Sequence, residues 1–434
     1  MARPRIVIVG AGFAGYQAAR TLLRQARGNA DVVVVNPTDY FLYLPLLPEV
    51  AGGALDPRAI SVPLQDTLPG LRLVLGEVDA IDTRARTVSY TGPEDNRGTL
   101  GYDRLVLAAG SVTKLLPIPG VADHAHGFRG IPEALYLRDH LIRQIELADA
   151  ADDPAERSAR MTFVVVGAGY TGTEVTAQGQ LLTADIAARH PRLRDTPPRW
   201  LLLDIADQVL PGMARRMAAG AERVLRGRGA EVRLGTSVRE ATAEGVRLTD
   251  GSFVPSRTLV WCVGVQPDPI VENAGLPTEK GRVRVDTYLT VPGHPEVYAC
   301  GDAAAVPDLH HPGQHTAMTA QHAVRQGRLV AHNVAASYGI GRPRRYRHRD
   351  LGFVVDLGGW QATANPLHVP LSGPLARVVT RGYHLAALPA NKLRTATGWL
   401  FTALDSRPGV QLDLVRGRAV PLDTEAPELA RHPG

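Results

Sequence analysis

Two trios of glycines are spaced for holding the phosphates of a nucleotide. Gly10, Gly12 and Gly15 close the run IVIVGAGFAG, and Gly167, Gly169 and Gly172 close the run FVVVGAGYTG. In such a turn the first glycine permits the sharp reversal and the second lets backbone approach a pyrophosphate. The third lets the following helix pack on the strand. The helix that follows contributes unpaired N–H groups and a partial positive charge to the anion. Phe13 and Ala14 lie inside the first turn, and Tyr170 and Thr171 inside the second.

The acids near these turns suggest which nucleotides they take. A dinucleotide unit usually carries an acid about 20 positions beyond its glycines to bind ribose hydroxyls. The first unit has Asn36 there, an amide that accepts the same bond more weakly. In the second unit LLLD brings Asp204 about 30 residues beyond the glycines, the insertion HPRLRDTPP accounting for the added length. A carboxylate suits the diol of NAD and repels the 2′-phosphate of NADP, and no arginine follows Asp204 directly, so NADH is favoured. Asp302 ends the apolar run VYACGD. A buried carboxylate needs a partner, which in a flavoprotein is a ribityl hydroxyl of FAD; an Asp capping the next helix fits the same position. Glu174 lies in the first helical turn past Gly172. A helix dipole favours an acid there, and so does a task against a nicotinamide, orienting the ring or relaying a proton. Together these residues read as sites for FAD and NADH with a hydride passing between them.

The elements that must position these residues repeat. Each glycine run follows a short apolar strand and precedes a helical pattern, so the predicted fold is α/β with two Rossmann-like dinucleotide-binding domains and a small C-terminal domain. Composition shifts at ADDPAERSAR and GRPRRYRHRD place an FAD-binding domain at 1–118 and 291–345, an NAD-binding domain at 119–290 and a C-terminal domain at 346–434. Strands are expected at Val32–Val35, Leu105–Ala108, Leu201–Asp204 and Val297–Asp302, and a long helix from about Thr316 to Ser337.

Composition excludes other classes. A chain of 434 residues with 44% hydrophobic and 21% charged residues is an ordinary multi-domain globular protein. A net charge of +5 is too mild to argue for nucleic acid. Cys262 and Cys300 form no CxxC or CxxxxC pair, so neither a disulfide framework nor a dithiol redox centre is expected, and both read as small apolar residues in strands. No metal site is expected. The chain opens directly on a strand with no secretory signal, and no run is long and apolar enough to span a bilayer. The expectation is a cytoplasmic protein, peripheral on the membrane if bound to it.

The order of these segments resembles the flavoprotein pyridine nucleotide reductases, and in finer pattern the type II NADH dehydrogenases (NADH:quinone oxidoreductases). The stretches carrying the likeness are DYFLYLPLLPEVAGGALDP, LAAGSVTKLLPIPG, IPEALYLRDHL, GAGYTGTEV, WCVGVQPDP, VPGHPEVYACGD and AQHAVRQG, from about Pro4 to Leu412. The resemblance implies that Pro45 and Leu46 lie along the isoalloxazine and that Val78 meets the adenine through its backbone. It further implies that Ala109 and Gly110 approach the FAD phosphates, and Gly301 and Asp302 the ribityl chain. Ala320 is implied at the flavin and Gly264 at the nucleotide of the second unit. The helix AQHAVRQG would line a quinone site through Gln321, with Arg325 standing where the family usually has glutamine. The segment NKLRTATGW, with Asn391, Lys392 and Trp399, resembles the module that holds the family on the membrane and closes the quinone pocket. From Leu357 to Leu404 there is no Asp or Glu, while Arg377, Arg381, Lys392 and Arg394 are present. Each such cation near an anionic leaflet is worth roughly 1 kcal/mol. The apolar residues of this segment are interrupted by Gly, Pro and Thr and form no clean stripe.

The reading that joins these observations is NADH oxidation through FAD with a quinone as acceptor. Two alternatives stay open: a soluble flavin oxidoreductase with another small substrate, and an NADH-sensing flavoprotein that controls partner binding. A homodimer is also left open.

Overall fold

Four consecutive β-branched residues, Ile6–Val9, are buried on both faces and sit in the middle of a six-stranded sheet. Such continuous apolar runs suit parallel strands covered by helices on either side. The sheet runs Thr290–Val291, His294–Ala299, Arg104–Leu107, Arg5–Val9, Asp31–Asn36 and Arg72–Leu75, parallel except at the first pair. The computed structural model describes residues 3–348, 350–405 and 407–422. Its contacts form two units: Met1–Tyr43, Ser61–Val112 and Val265–Arg349 make the first, and Leu44–Ile60, Thr113–Gly264 and Asp350–Gly434 the second.

The second unit repeats the plan with a five-stranded parallel sheet: Ala125–His126, Thr258–Trp261, Thr162–Val166, Arg199–Asp204 and Ala230–Leu234. The repeat extends further than the glycine runs. Before its Arg104–Leu107 strand the first unit carries a three-stranded antiparallel sheet, Glu77–Asp82, Thr87–Thr91 and Arg97–Gly101. Before its Thr258–Trp261 strand the second carries Val238–Thr242, Gly245–Leu248 and Phe253–Pro255.

The units are drawn along different lines from those expected. Residues 265–290 go with the first unit because Arg282–Arg284 pairs in parallel with Ala304–Ala305, just past the Asp302 turn. Residues 44–60 go with the second, where Thr395 donates its hydroxyl to Ala59 O at 3.1 Å and Thr402 to Ala54 O at 2.8 Å. The C-terminal residues are not a separate piece but part of that same unit, with Arg228 Nη2 donating to Gly358 O at 2.9 Å. Within them a small sheet (Val354–Asp356, Ala362–Ala364, Leu371–Ser372) precedes two helices, Gly373–Ala387 and Lys392–Leu404.

The long helix begins later than expected, at Ala320, and ends at Ala336. Thr316 cannot be helical because its N–H bonds Val306 O at 2.9 Å in a hairpin. Thr319 is the N-cap, accepting from the His322 N–H at 3.4 Å. The strand before Asp302 likewise ends at Ala299. Cys300 and Cys262 each follow directly on a strand, one in each unit, and burial pushes both thiols up to about 12. Thiols in that range are not nucleophiles at neutral pH.

Candidate functional site

In the first unit the turn is built by contact distances that exclude any side chain. Gly10 has φ +90°, and a Cβ there would meet Ala108 O at 2.6 Å. A Cβ on Gly15 would come within 1.9 Å of Gly10 O, so the helix Phe13–Ala26 lies directly against the turn. Gly12, between them, has no atom within 4 Å of where a Cβ would sit. That is open space at the helix N-terminus, and no side chain caps the helix. Its first N–H groups are therefore left for a ligand.

The second unit reproduces each feature. A Cβ on Gly167 (φ +101°) would meet Cys262 O at 2.2 Å, one on Gly172 would meet Gly167 O at 1.8 Å, and Gly169 faces open space. The helix Tyr170–Ala187 that follows also lacks a side-chain cap. Gly110 and Gly264 are a further matched pair, with φ +80° and +102° and open space over each. Their carbonyls accept from Asp268 N at 3.3 Å and Lys114 N at 3.1 Å, each within its own unit.

Asn36 and Asp204 occupy equivalent strand ends and do the same local work. Asn36 Oδ1 accepts from Ala11 N at 2.7 Å, and Asp204 Oδ2 accepts from Ala168 N at 2.5 Å. Asn36 is buried and spends its amide N–H groups on Thr38 O and Thr38 Oγ1. Asp204 is half-exposed, and its second oxygen accepts from Ala206 N at 2.8 Å. A carboxylate retains further lone pairs there for a ribose diol.

Asp302 lies in a short turn behind its strand, and Ser111 donates to Oδ2 at 2.8 Å. Burial raises its pKa, while the Ser111 bond and the Arg282 charge pull the other way. The preceding Gly301 N–H is taken by Gln326 Oε1 at 2.8 Å, and Gln326 Nε2 donates to Thr316 Oγ1 at 3.0 Å. A Cβ on Gly327 would meet Ala14 O at 2.1 Å, so Ala320–Ala336 packs hard on the first glycine helix. On the half-buried start of Ala320–Ala336, Arg325 Nη1 folds back onto Gln321, donating to its O at 2.9 Å and its Oε1 at 3.2 Å. Val78 is half-buried, and its ladder slips register just after it.

In the second unit Glu174 Oε1 accepts from Asp356 N at 2.9 Å. Its pKa is raised well above the carboxylate range, first by burial and then by Glu49, with Arg377 opposing. Pro45 is half-buried and Leu46 wholly buried, while Lys392 is exposed at the start of the last long helix.

The pattern of the pyridine nucleotide-disulphide oxidoreductases matches residues 4–327. Type II NADH:quinone oxidoreductase Ndh of Mycobacterium tuberculosis is 30% identical over 432 residues, covering 94% of this chain and 89% of that one. Demethylphylloquinone reductase NdbB of Synechocystis is 30% identical, covering 92% and 96%. The solved structure of NDH2 from Plasmodium falciparum in complex with NADH superposes with a TM-score of 0.86 at 17% identity, covering 94% of this chain and 100% of that one. The chain belongs to the type II NADH:quinone oxidoreductases. Within the wider pyridine nucleotide-disulphide oxidoreductases, this makes it a flavoprotein oxidoreductase whose cofactors are FAD and NADH. Two open, uncapped cradles with bare glycines fit two such nucleotides.

Sequence reasoning missed several residues of this type II enzyme. Gln326, wholly buried, stands on the core-facing stripe Ala323, Val330 and Val334, and a polar residue on such a stripe is the signal that would have found it. Glu49 sits among Leu47, Pro48, Val50 and Ala51, all buried, and is itself 1% exposed. Its Oε2 accepts from Trp399 Nε1 at 2.5 Å.

Proposed function

We propose that this chain moves a hydride from NADH to FAD and passes two electrons on to a quinone at a membrane surface. The observation that carries the reading is the duplicated cradle, because one chain with two complete phosphate turns is equipped for one nucleotide to reduce another. The first unit holds FAD through Gly10, Gly12, Gly15 and the turn at Asp302. The second holds NADH through Gly167, Gly169, Gly172 and Asp204.

The chain's own residues supply position and protons. Ser111 orients the Asp302 carboxylate toward a ribityl hydroxyl, and Gln326 fixes the Gly301 backbone beneath it. Burial raises the Glu174 pKa well above the carboxylate range, and with Oε1 accepting from Asp356 N at 2.9 Å its Oε2 is left to take or give a proton. Gln321, oriented by Arg325, is assigned to the acceptor in the first unit, and Lys392 in the second supplies an exposed positive charge for anionic groups.

Asp204 tests the nucleotide assignment. Asn36 already holds an equivalent turn with an amide, so Asp204→Asn keeps the turn and removes the charge. The KM for NADH is expected to rise roughly tenfold, as for one lost charge-assisted hydrogen bond. Discrimination against NADPH should shrink while the flavin spectrum stays unchanged. Steady-state kinetics with both nucleotides checks this, and an unchanged ratio removes Asp204 from the diol.

Membrane contact rests on the two last helices. Leu375 and Val378 on one, and Leu393, Leu400, Phe401 and Leu404 on the other, are each more than half exposed. An exposed apolar set of this size marks a docking surface, and Arg394 and Lys392 flank it with positive charge. Among the described residues no helix is long and apolar enough to cross a membrane. Insertion of each large apolar side chain gains roughly 1.5–3 kcal/mol. Leu400→Asp with Phe401→Asp should therefore cut cosedimentation with anionic vesicles at least tenfold while leaving turnover with a short-chain quinone intact. Unchanged cosedimentation rules this face out.

A further inference from the structure

Arg282 opens the strand Arg282–Arg284, and the register Val283 opposite Ala304 pins it beside the Asp302 turn. Its guanidinium is largely withdrawn from solvent, and burial lowers its pKa. One nitrogen, Nη1, donates to Thr316 O at 2.9 Å. The other two, Nε and Nη2, are buried and meet no hydrogen-bond acceptor. Asp302 and Arg282 feel each other's charge, yet the Asp302 hydrogen bond comes from Ser111, not from the arginine.

Buried donors without acceptors are costly, and a folded chain retains them where a ligand completes them. The surroundings say which ligand. Around Arg282 stand Thr316, bonded to Gln326, and Gln326 in turn holds the Gly301 N–H that precedes Asp302. This chain of bonds ends on the Gly301–Asp302 turn that the proposed function gives to the flavin. We propose that Arg282 is a further flavin-binding residue, donating from Nε and Nη2 to an oxygen of the bound FAD and placing a fixed positive charge beside it. The proposal rests on the reading of the first unit as the FAD site.

A fixed cation next to the flavin favours whichever redox state carries more negative charge, which is the reduced one. Arg282 therefore binds reduced FAD more tightly than oxidised FAD and raises the midpoint potential. This separates it from a scaffold role, in which Arg282 only pins the Thr316 carbonyl: a loosened scaffold weakens both redox states alike and leaves the potential where it was.

The test uses the full chain reconstituted with FAD, compared as wild type, Arg282→Gln and Arg282→Lys. FAD affinity is read by fluorescence titration of apoprotein, and the potential by equilibration with dithionite and a reference dye. Neither readout involves NADH or quinone, so failure here is distinguishable from failure of the proposed reaction. For Arg282→Gln the affinity for oxidised FAD should fall about tenfold, and that for reduced FAD roughly a hundredfold, as for lost hydrogen bonds to a charged donor. Arg282→Lys, which keeps the charge and loses the fork, should restore most of the potential but not all of the affinity. A potential equal to that of wild type in Arg282→Gln overturns the proposal, whatever the affinity does. If no variant binds FAD and circular dichroism shows a native fold, the wild-type potential measured at high and low salt still decides, because a buried charge is screened little; a strongly salt-dependent potential counts against Arg282.

Discussion

Gly15→Val will purify without flavin, whereas Gly172→Val will purify yellow and stay oxidised when NADH is added. The first expectation follows from backbone atoms, which cannot step aside as a flexible side chain can. Even a single Cβ on Gly15 would stand 1.9 Å from Gly10 O, and a valine adds two further carbons. To admit it, the helix Phe13–Ala26 must lift off the turn, and its N-terminal N–H groups leave the pyrophosphate with it. Several charge-assisted bonds are lost together, so FAD affinity should fall by more than a hundredfold. The same displacement at Gly172, where a Cβ would stand 1.8 Å from Gly167 O, removes the NADH cradle. Each variant needs far-UV circular dichroism to show that the rest of the chain folds. Flavin content of Gly15→Val and NADH titration of Gly172→Val give the answer. A colourless Gly172→Val paired with a yellow Gly15→Val would exchange the two assignments.

Arg377→Met is expected to lower the thermal midpoint by on the order of 10 °C. Arg377 is 4% exposed and paired with Asp356, with Glu49 Oε1 at 3.9 Å from its Nη1. Burial lowers its pKa to about 10, so it remains charged at neutral pH. Removing it leaves two carboxylates, 1% and 3% exposed, without their cation. Breaking a buried pair in this way typically costs roughly 3–5 kcal/mol, even where replacing the whole pair costs little. The second half of that rule supplies a control. Arg377→Met combined with Asp356→Asn should recover part of the loss, giving a coupling term between the two sites. Differential scanning calorimetry of the flavin-loaded chain measures both. A midpoint within about 2 °C of wild type for the single variant would mean that Arg407 and Arg381 already balance these acids.

What could be read in the sequence follows from how locally each feature is determined. The glycine turns were legible because positive φ and backbone contact demand glycine whatever the surroundings, as Gly10 and Gly167 illustrate. The parallel strands were legible because residues buried on both faces leave an unbroken apolar run such as Ile6–Val9. Asn36 looked like a weakened ribose ligand. Its main task, holding the Ala11 N–H, is invisible until the turn is built. The paired antiparallel sheets at 77–101 and 238–255 were not read, since their short strands carry exposed polar residues and owe their register to pairing alone. The buried charges around Glu49 were beyond reach for a different reason: its hydrogen bond to Trp399 joins residues 350 positions apart. The C-terminal apolar residues were seen but showed no clean stripe, because they are divided between two helices. Leu388 ends one with its side chain buried, Asn391 at φ +61° starts the next, and a single period cannot run through both.

In the proposed reaction the chain accepts a hydride from NADH and delivers electrons to a quinone. Stopped-flow mixing of the flavin-loaded protein with NADH, then with a menaquinone or ubiquinone analogue, tests it most directly. The expected result is rapid bleaching by NADH, much slower bleaching by NADPH because of Asp204, and rapid return of the yellow colour when quinone is added. Bleaching that quinone fails to reverse would contradict the proposed acceptor, and a flavin that NADH leaves oxidised would contradict the direction of hydride transfer itself.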